Sequence, residues 1–350
     1  MPISRPIRQL IISPDGDFLA IVTSHTIHVA ILPDSSHLGS SDDSPIKLKT
    51  FHVGPTTHVL ERSAIASVLW HPLSIKGGCL VTVTVDAVVR LWELDKDNRW
   101  SFDSPALAID LVKLVDGHTS NEDFSPSKYG TSKGFSPDSF EMEVASACWG
   151  GSAAEGEDPW ASMTLWVAMR EGDVYALCPL LPSKWSAPVT LTSSLISAAS
   201  CIASSDSTTN HSQSARNQLR NWISDVASQN PPTSHDALYD LQTFSRPLRP
   251  GAIPKLQGPF AVSPDMDDMF DVTNIYAVPA IDNDEVTPSE DGEIADELEP
   301  SSASLLCLAT SDGKVHVLLE IGSIEGRWLP PRKVRIPALC YCHAMLIQLA

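Results

Sequence analysis

An all-β chain of the β-propeller class is predicted by three features of this sequence: four self-similar hairpins, strands that are apolar on nearly every residue, and tight polar turns joining them. The hairpins read LAIVTSHTIHVAIL (19–32), LVTVTVDAVVRLWEL (80–94), MTLWVAMREGDVYAL (163–177) and LLCLATSDGKVHVLLEI (305–321). Recurrent hairpins of this kind mark architectures in which each small antiparallel sheet leans on the next because it cannot bury its own two faces. A half-exposed strand would alternate apolar with charged residues. Here Val81, Val83 and Val85 share one face while Thr82 and Thr84 carry the other, so water is expected on neither side. At Ser311-Asp312-Gly313-Lys314 and Glu171-Gly172-Asp173, glycine stands where a hairpin turn needs positive φ. Asp86, Arg90 and Trp92 resemble the turn-and-strand of WD-type blades, although the Gly-His pair that opens a full WD repeat is missing from every copy.

Taken in order, residues 7–33 read as a first blade, followed by a polar connector rich in Ser, Asp and Pro (34–50). A second blade runs from about 51 to 100, with WHP at 70–72 marking the bend after its inner strand. PALAIDLVKL (105–114) fits either a strand or a short helix, and a Ser/Gly/Lys loop follows (117–138). The third blade begins at EMEVASACWGG (141–151) and ends at ALCPLLPSKW (176–185), interrupted by the acidic loop AAEGEDP. Residues 193–237 break the β pattern as a Ser-rich, helical insertion. Within it SARNQLRNWISDVASQN (214–230) places Leu219, Trp222, Ile223 and Val226 at i, i+3, i+4 and i+7, one apolar stripe. Such a stripe packs on its own domain or receives a partner, and these four residues are the candidate partner-binding anchors. The β pattern resumes at GPFAVSP (258–264) and NIYAVPAI (274–281), giving about five blades and part of a sixth.

Length and composition narrow the function. A chain of 350 residues, 43% hydrophobic, can bury a large core. With no charged-then-apolar leader before ISPDG and no run of eighteen apolar residues, the expectation is a soluble, intracellular protein without membrane insertion. The net charge of −19 is concentrated: nine acids and no Lys or Arg lie between 282 and 299. That segment, with its flanks 282–302, reads as a solvated, disordered loop, either solubilising or docking a basic partner, and such a field disfavours direct nucleic-acid binding.

Chemistry-bearing motifs are scarce. No Gly-x-Ser-x-Gly elbow, phosphate loop, His-Glu-x-x-His or dinucleotide fingerprint occurs, so no catalytic, cofactor-binding or metal residues are assigned. The seven cysteines (79, 148, 178, 201, 307, 340, 342) sit in or beside apolar strands and read as structural thiols. Strand histidines such as His28 and His316 read as blade residues, and Asp86 with Arg90 as a turn-stabilising pair. The Asn210-His211-Ser212 sequon carries no meaning without secretion.

Beyond these patterns, FSPDSFEMEVASACWGG and DPWASMTLWVAMREGDVYALCPLLPSKW resemble the N-terminal propeller of the fungal nucleoporins of the eighty-two-kilodalton class, which anchor messenger-RNA export machinery to the cytoplasmic face of the nuclear pore complex. PALAIDLVKL, ISPDGDFLAI, KLQGPFAVSP, NIYAVPAI and SDGKVHVLLEI fit in the same order, so the resemblance spans roughly residues 7–336. It implies a seven-bladed, WD-like propeller over residues 1–350, incomplete in this chain and with one helical insertion, that acts as a scaffold without catalytic activity or cofactor. It also implies other nucleoporins as partners: a partner's terminal helix and the autoproteolytic-type domain of a Phe-Gly nucleoporin. The chain departs from that family in having no heptad region, and PALCYCHAMLIQLA after Ile336 no longer resembles a blade. Two other readings stand beside this one: a WD-like adaptor of another assembly, and an enzyme with His, Asp or Glu converging at the channel mouth.

Overall fold

The computed structural model describes residues 6–33, 47–127, 142–151, 158–188, 190–191, 193–197, 210–229, 241–260, 271–278, 304–319 and 324–331. The acidic stretch 282–302, the Ser-rich stretch 198–209 and cysteines 201, 340 and 342 lie outside them. The first blade is β1 (Gln9–Ile12), β2 (Phe18–Val22), β3 (Ile27–Ile31) and β4 (Lys49–Val53), hydrogen-bonded in that order. The second is β5 (Ile65–Trp70), β6 (Cys79–Thr84), β7 (Val88–Glu93) and β8 (Leu107–Asp110), again sequential. PALAIDLVKL is both of its predicted alternatives: β8 runs into α1 (Leu111–Val115), whose first turn is capped by the Asp110 carboxylate accepting from Val112 N and Lys113 N.

The third blade opens with β9 (Val144–Trp149), β10 (Leu165–Met169) and β11 (Val174–Leu177). The chain then leaves the sheet for β12 (Lys184–Pro188), the helix α2 (Asn210–Ala227) and β13 (Leu241–Ser245), with β12 and β13 pairing only with each other. It returns as β14 (Leu256–Phe260), which pairs with β11 and completes the blade from a remote position. The fourth sheet is β15 (Val272–Val278), β16 (Leu305–Thr310) and β17 (Val315–Leu319). The described residues therefore form four blades. GPF at 258–260 is the outer strand of the third blade, and the remainder of GPFAVSP lies outside the described residues.

Alternating side chains explain how the blades stack. In β6, Leu80 and Thr82 face the first blade, where Leu80 and Trp92 join Ala20, Val22 and Val29 in one apolar cluster. Val81 and Val83 face the other way, into a cluster with Val144, Leu165 and Val167 of the third blade. The third blade in turn places Trp166, Ala168 and Ala176 against Ile275, Leu306 and Leu308 of the fourth. Each fully buried aliphatic side chain in these layers contributes about 1.5–3 kcal/mol. Every residue of β6, β10 and β11 is accordingly buried. In contrast, β2 and β16 alternate buried with half-buried positions, as strands of end blades with one covered face must.

The turns follow the sequence reading. Gly172 and Gly313 adopt φ of 103° and 83°, and the flanking backbone closes by Met169 N–H donating to the Asp173 carbonyl and Thr310 N–H to the Lys314 carbonyl. In the WD-like turn the corresponding residue is Ala87, at φ 59° and fully buried. Arg90 donates to Thr84 Oγ1 at 3.2 Å and feels the negative charge of Asp86, whose Oδ1 is buried without a hydrogen-bond partner. No helix among the described residues is long and apolar enough to cross a membrane.

Candidate functional site

Inner strands β1, β5, β9 and β15 line a cavity of about 830 Å³ at the hub of the stack. Three blades meet there through a polar line: the Ser67 and Ser146 hydroxyls lie 3.2 Å apart, and Ser146 donates to Asn274 Oδ1 at 2.8 Å. The lining contains Arg8, Cys148 and Tyr276 as its titratable side chains and no Asp, Glu or His. Burial pushes the Cys148 thiol up to about 12, so it stays protonated and is a poor nucleophile at neutral pH. General acid–base chemistry needs a group that titrates near the working pH, and this hub offers none among its described lining residues.

The insertion is the more distinctive surface. Its helix turns Leu219, Trp222, Ile223 and Val226 inward, and all four are buried. Trp222 lies between Trp160 and Trp328, with ring centroids 5.6 and 5.8 Å away. Gln218 donates to the Leu329 carbonyl, and Gln229 makes two bonds to the Ser245 backbone, its amide donating at 2.8 Å and accepting at 2.7 Å. The chain's own third blade and the 324–331 segment thus occupy the predicted stripe. The opposite helix face is polar, presenting Asn217, Arg220, Asn221, Ser224 and Asp225 to solvent.

The paired strands of the insertion are clamped to the second blade. Glu93 accepts from the Ser183 N–H at 2.6 Å and from the Ser183 hydroxyl at 2.5 Å, while Arg246 donates to the Leu181 carbonyl at 2.6 Å. Ser186 N–H donates to the Leu73 carbonyl, and Trp185 stacks on Phe244 at 4.7 Å. His71, in the WHP bend, accepts from Leu73 N–H at Nδ1, so its other nitrogen carries the proton and donates to the Leu180 carbonyl at 2.8 Å. Full burial depresses its pKa to about 4 and keeps the ring neutral. The described strands of the insertion are thus tied to the rim of the second blade.

Sequence reasoning missed one structural group. Trp92 donates to Thr82 Oγ1 at 3.1 Å, and His58 Nε2 lies 3.2 Å from the same oxygen. His58 arrives from the loop after β4, four residues beyond Gly54, whose φ of 60° and lack of a side chain let that loop approach Trp92: a Cβ there would stand 2.7 Å from the indole. The histidine absent from the expected Gly-His dipeptide is thus supplied at a different spacing.

Among the described residues, four stacked antiparallel blades, inner strands around a hub and a helix-bearing insertion define a β-propeller. The chain belongs to the nucleoporin NUP82 β-propeller family, whose model matches residues 1–347. It is 46% identical over 349 residues to nucleoporin NUP82 of Chaetomium thermophilum, covering 95% of this chain and 39% of that protein. Among solved structures it resembles the Chaetomium thermophilum heterotrimeric Nup82 NTD–Nup159 TAIL–Nup145N APD complex, with a TM-score of 0.80 and 41% identity over 97% of this chain and 62% of that one. The yeast heterotrimeric Nup82–Nup159–Nup116 nucleoporin complex matches with a TM-score of 0.58 at 17% identity, over 91% of this chain and 61% of that one, a likeness of fold alone. This chain thus spans about two-fifths of the curated relative's length.

Proposed function

We propose that this chain is a structural nucleoporin: a protein-binding scaffold of the cytoplasmic side of the nuclear pore complex that supports messenger-RNA export and has no catalytic activity. Its residues 1–350 act as one propeller domain interrupted by the 193–237 insertion. The observation carrying this reading is the TM-score of 0.80 over 97% of the chain with a propeller solved in complex with a Nup159 tail and a Nup145N APD. The partners proposed for this chain are of the same two kinds, a terminal helical tail and an autoproteolytic-type domain of another nucleoporin.

The mechanism is recognition by preformed surfaces. Because stacked blades and clamped insertion hold their loops in place, a partner loses little ordering entropy on this side of the interface. Leu219, Trp222, Ile223 and Val226 serve such binding by fixing α2 on the rim, leaving its polar face to meet a partner. The test is titration of the purified chain with a Nup159 tail peptide and, separately, with a Nup145N APD, followed by calorimetry. Saturable one-to-one binding of either supports the reading, and a folded chain that binds neither overturns it.

A further inference from the structure

Residues 324–331 follow the fourth blade in sequence but are seated against the outer strand of the third blade and the helix of the insertion. The ladder between β11 and β14 sets Leu177 opposite Leu256. One residue further along both strands, Arg327 bonds to both sides: its N–H donates to the Cys178 carbonyl at 3.1 Å and its carbonyl accepts from the Lys255 N–H at 2.8 Å. Two residues earlier, the Glu325 carbonyl accepts from the Gln257 amide at 2.9 Å. Two residues later, the Leu329 carbonyl accepts from Gln218 of α2 at 3.1 Å, and the Pro330 carbonyl accepts from the Ser120 N–H at 3.0 Å. A short irregular segment thus bonds β14, the residue before it, α2 and a loop of the second blade.

Side chains complete the same seat. Trp328 and Leu329 are buried, and Trp328 is one of the two rings against Trp222, the other being Trp160 from the β9–β10 connection. Gly326 leaves room for this row, since a Cβ there would stand 2.9 Å from the Trp160 ring and 3.2 Å from that of Trp328. The helix has little preference of its own: Asn210–Ala227 contains three Asn, three Ser and the β-branched Ile223 and Val226. Its helicity therefore depends on what it packs against.

We infer that residues 324–331 act as a clasp on the insertion helix, and that clasp and helix open and close as one cooperative unit while the inner blades stay folded. Releasing the clasp takes Trp328 from Trp222 and the Leu329 carbonyl from Gln218, which bares one flank of the stripe that holds α2. Releasing α2 strips Trp328 of its ring partner. Each half loses its seat with the other. Because β17 ends at Leu319, shortly before Ile324, the clasp links α2 to the exit of the fourth blade. An event there that favours the seated clasp favours the seated helix equally.

Amide hydrogen exchange of the 350-residue chain, followed by mass spectrometry, tests this without any partner. Gln257→Ala removes the bond to Glu325 and lies on β14, yet it is expected to speed exchange in α2 and in 324–331 by one common factor of about threefold or more. Trp328→Ala is expected to speed both by at least about a hundredfold. Trp328→Phe, which keeps a ring against Trp222, is expected to give a smaller factor, again common to both, and serves should the alanine variant fail to fold. Val83→Ala, in the inner blades, is expected to speed exchange in β6 and to leave α2 and 324–331 at their parent rates, because the opening of the clasp leaves that packing intact. A Gln257→Ala chain in which α2 keeps its parent rate, factors that differ between α2 and 324–331, or acceleration of α2 together with β6 in Val83→Ala overturns the proposal.

Discussion

The indole N–H of Trp92 donates to the Thr82 hydroxyl at 3.1 Å, across neighbouring strands of the second blade and beneath the ring of His58. One oxygen thus satisfies a buried indole and approaches a buried imidazole. Thr82→Val keeps the shape but removes that oxygen, and a buried donor left without a partner costs about 1–3 kcal/mol. Thr82→Val is therefore expected to lower unfolding free energy by about 2–3 kcal/mol in urea titration, whereas Thr82→Ser, which keeps the hydroxyl, loses about 1 kcal/mol for the missing methyl.

The helix stripe gives a second expectation. Trp222→Ala opens a void between Trp160 and Trp328 and is expected to cost about 3–5 kcal/mol by chemical denaturation, with the insertion rather than the inner blades losing protection first. Arg220→Ala and Asp225→Ala, on the solvent face, are expected to stay within about 0.5 kcal/mol.

Acid stability follows from His58 and His71. Burial depresses the first to about 3 and the second to about 4, both below the ordinary value of 6.5. A group whose folded pKa is lowered binds protons first in the unfolded chain, so its contribution is complete above pH 6.5 and is lost as pH falls toward the folded value. At about 1.4 kcal/mol per unit, the loss is on the order of 5 kcal/mol for His58 and 3 kcal/mol for His71 across their windows. Unfolding free energy measured at pH 7, 6, 5 and 4 is expected to fall steadily, and His71→Gln is expected to flatten part of that slope.

Ala87 provides a backbone test. It occupies the left-handed region at φ 59° with its side chain fully buried, a conformation that costs about 1–2 kcal/mol for a residue with a Cβ. Ala87→Gly relieves that strain but adds freedom to the unfolded chain, so the net change is expected within about 1 kcal/mol. Ala87→Val, β-branched and larger, is expected to destabilise by about 2 kcal/mol or more in the same assay.

Much of this architecture was legible in particular residues. Gly172 and Gly313 marked turns because positive φ is nearly theirs alone, and the Val81–Val83 and Thr82–Thr84 faces announced two-sided burial because the strand period is 2. The stripe Leu219, Trp222, Ile223 and Val226 located the helix, although it begins at Asn210, four residues before the predicted start. The pairing of β14 with β11 was not legible, because strand partners are chosen by backbone groups that every residue carries and 78 residues separate Leu177 from Leu256. Asp110 was a readable cap at the end of PALAID that could have decided between strand and helix in favour of both. His58 was hidden by spacing: Gly54 and His58 meet Trp92 only after the intervening loop folds.

Amide hydrogen exchange tests the radial stack most directly. If the sheets lean on one another as described, amides in β6, β7 and β10, covered on both faces, exchange roughly a hundredfold or more slowly than those in β1 and β17 at the two ends. Equal protection across all four blades, or faster exchange in β6 and β10 than in β1 and β17, would contradict the stacked-blade account.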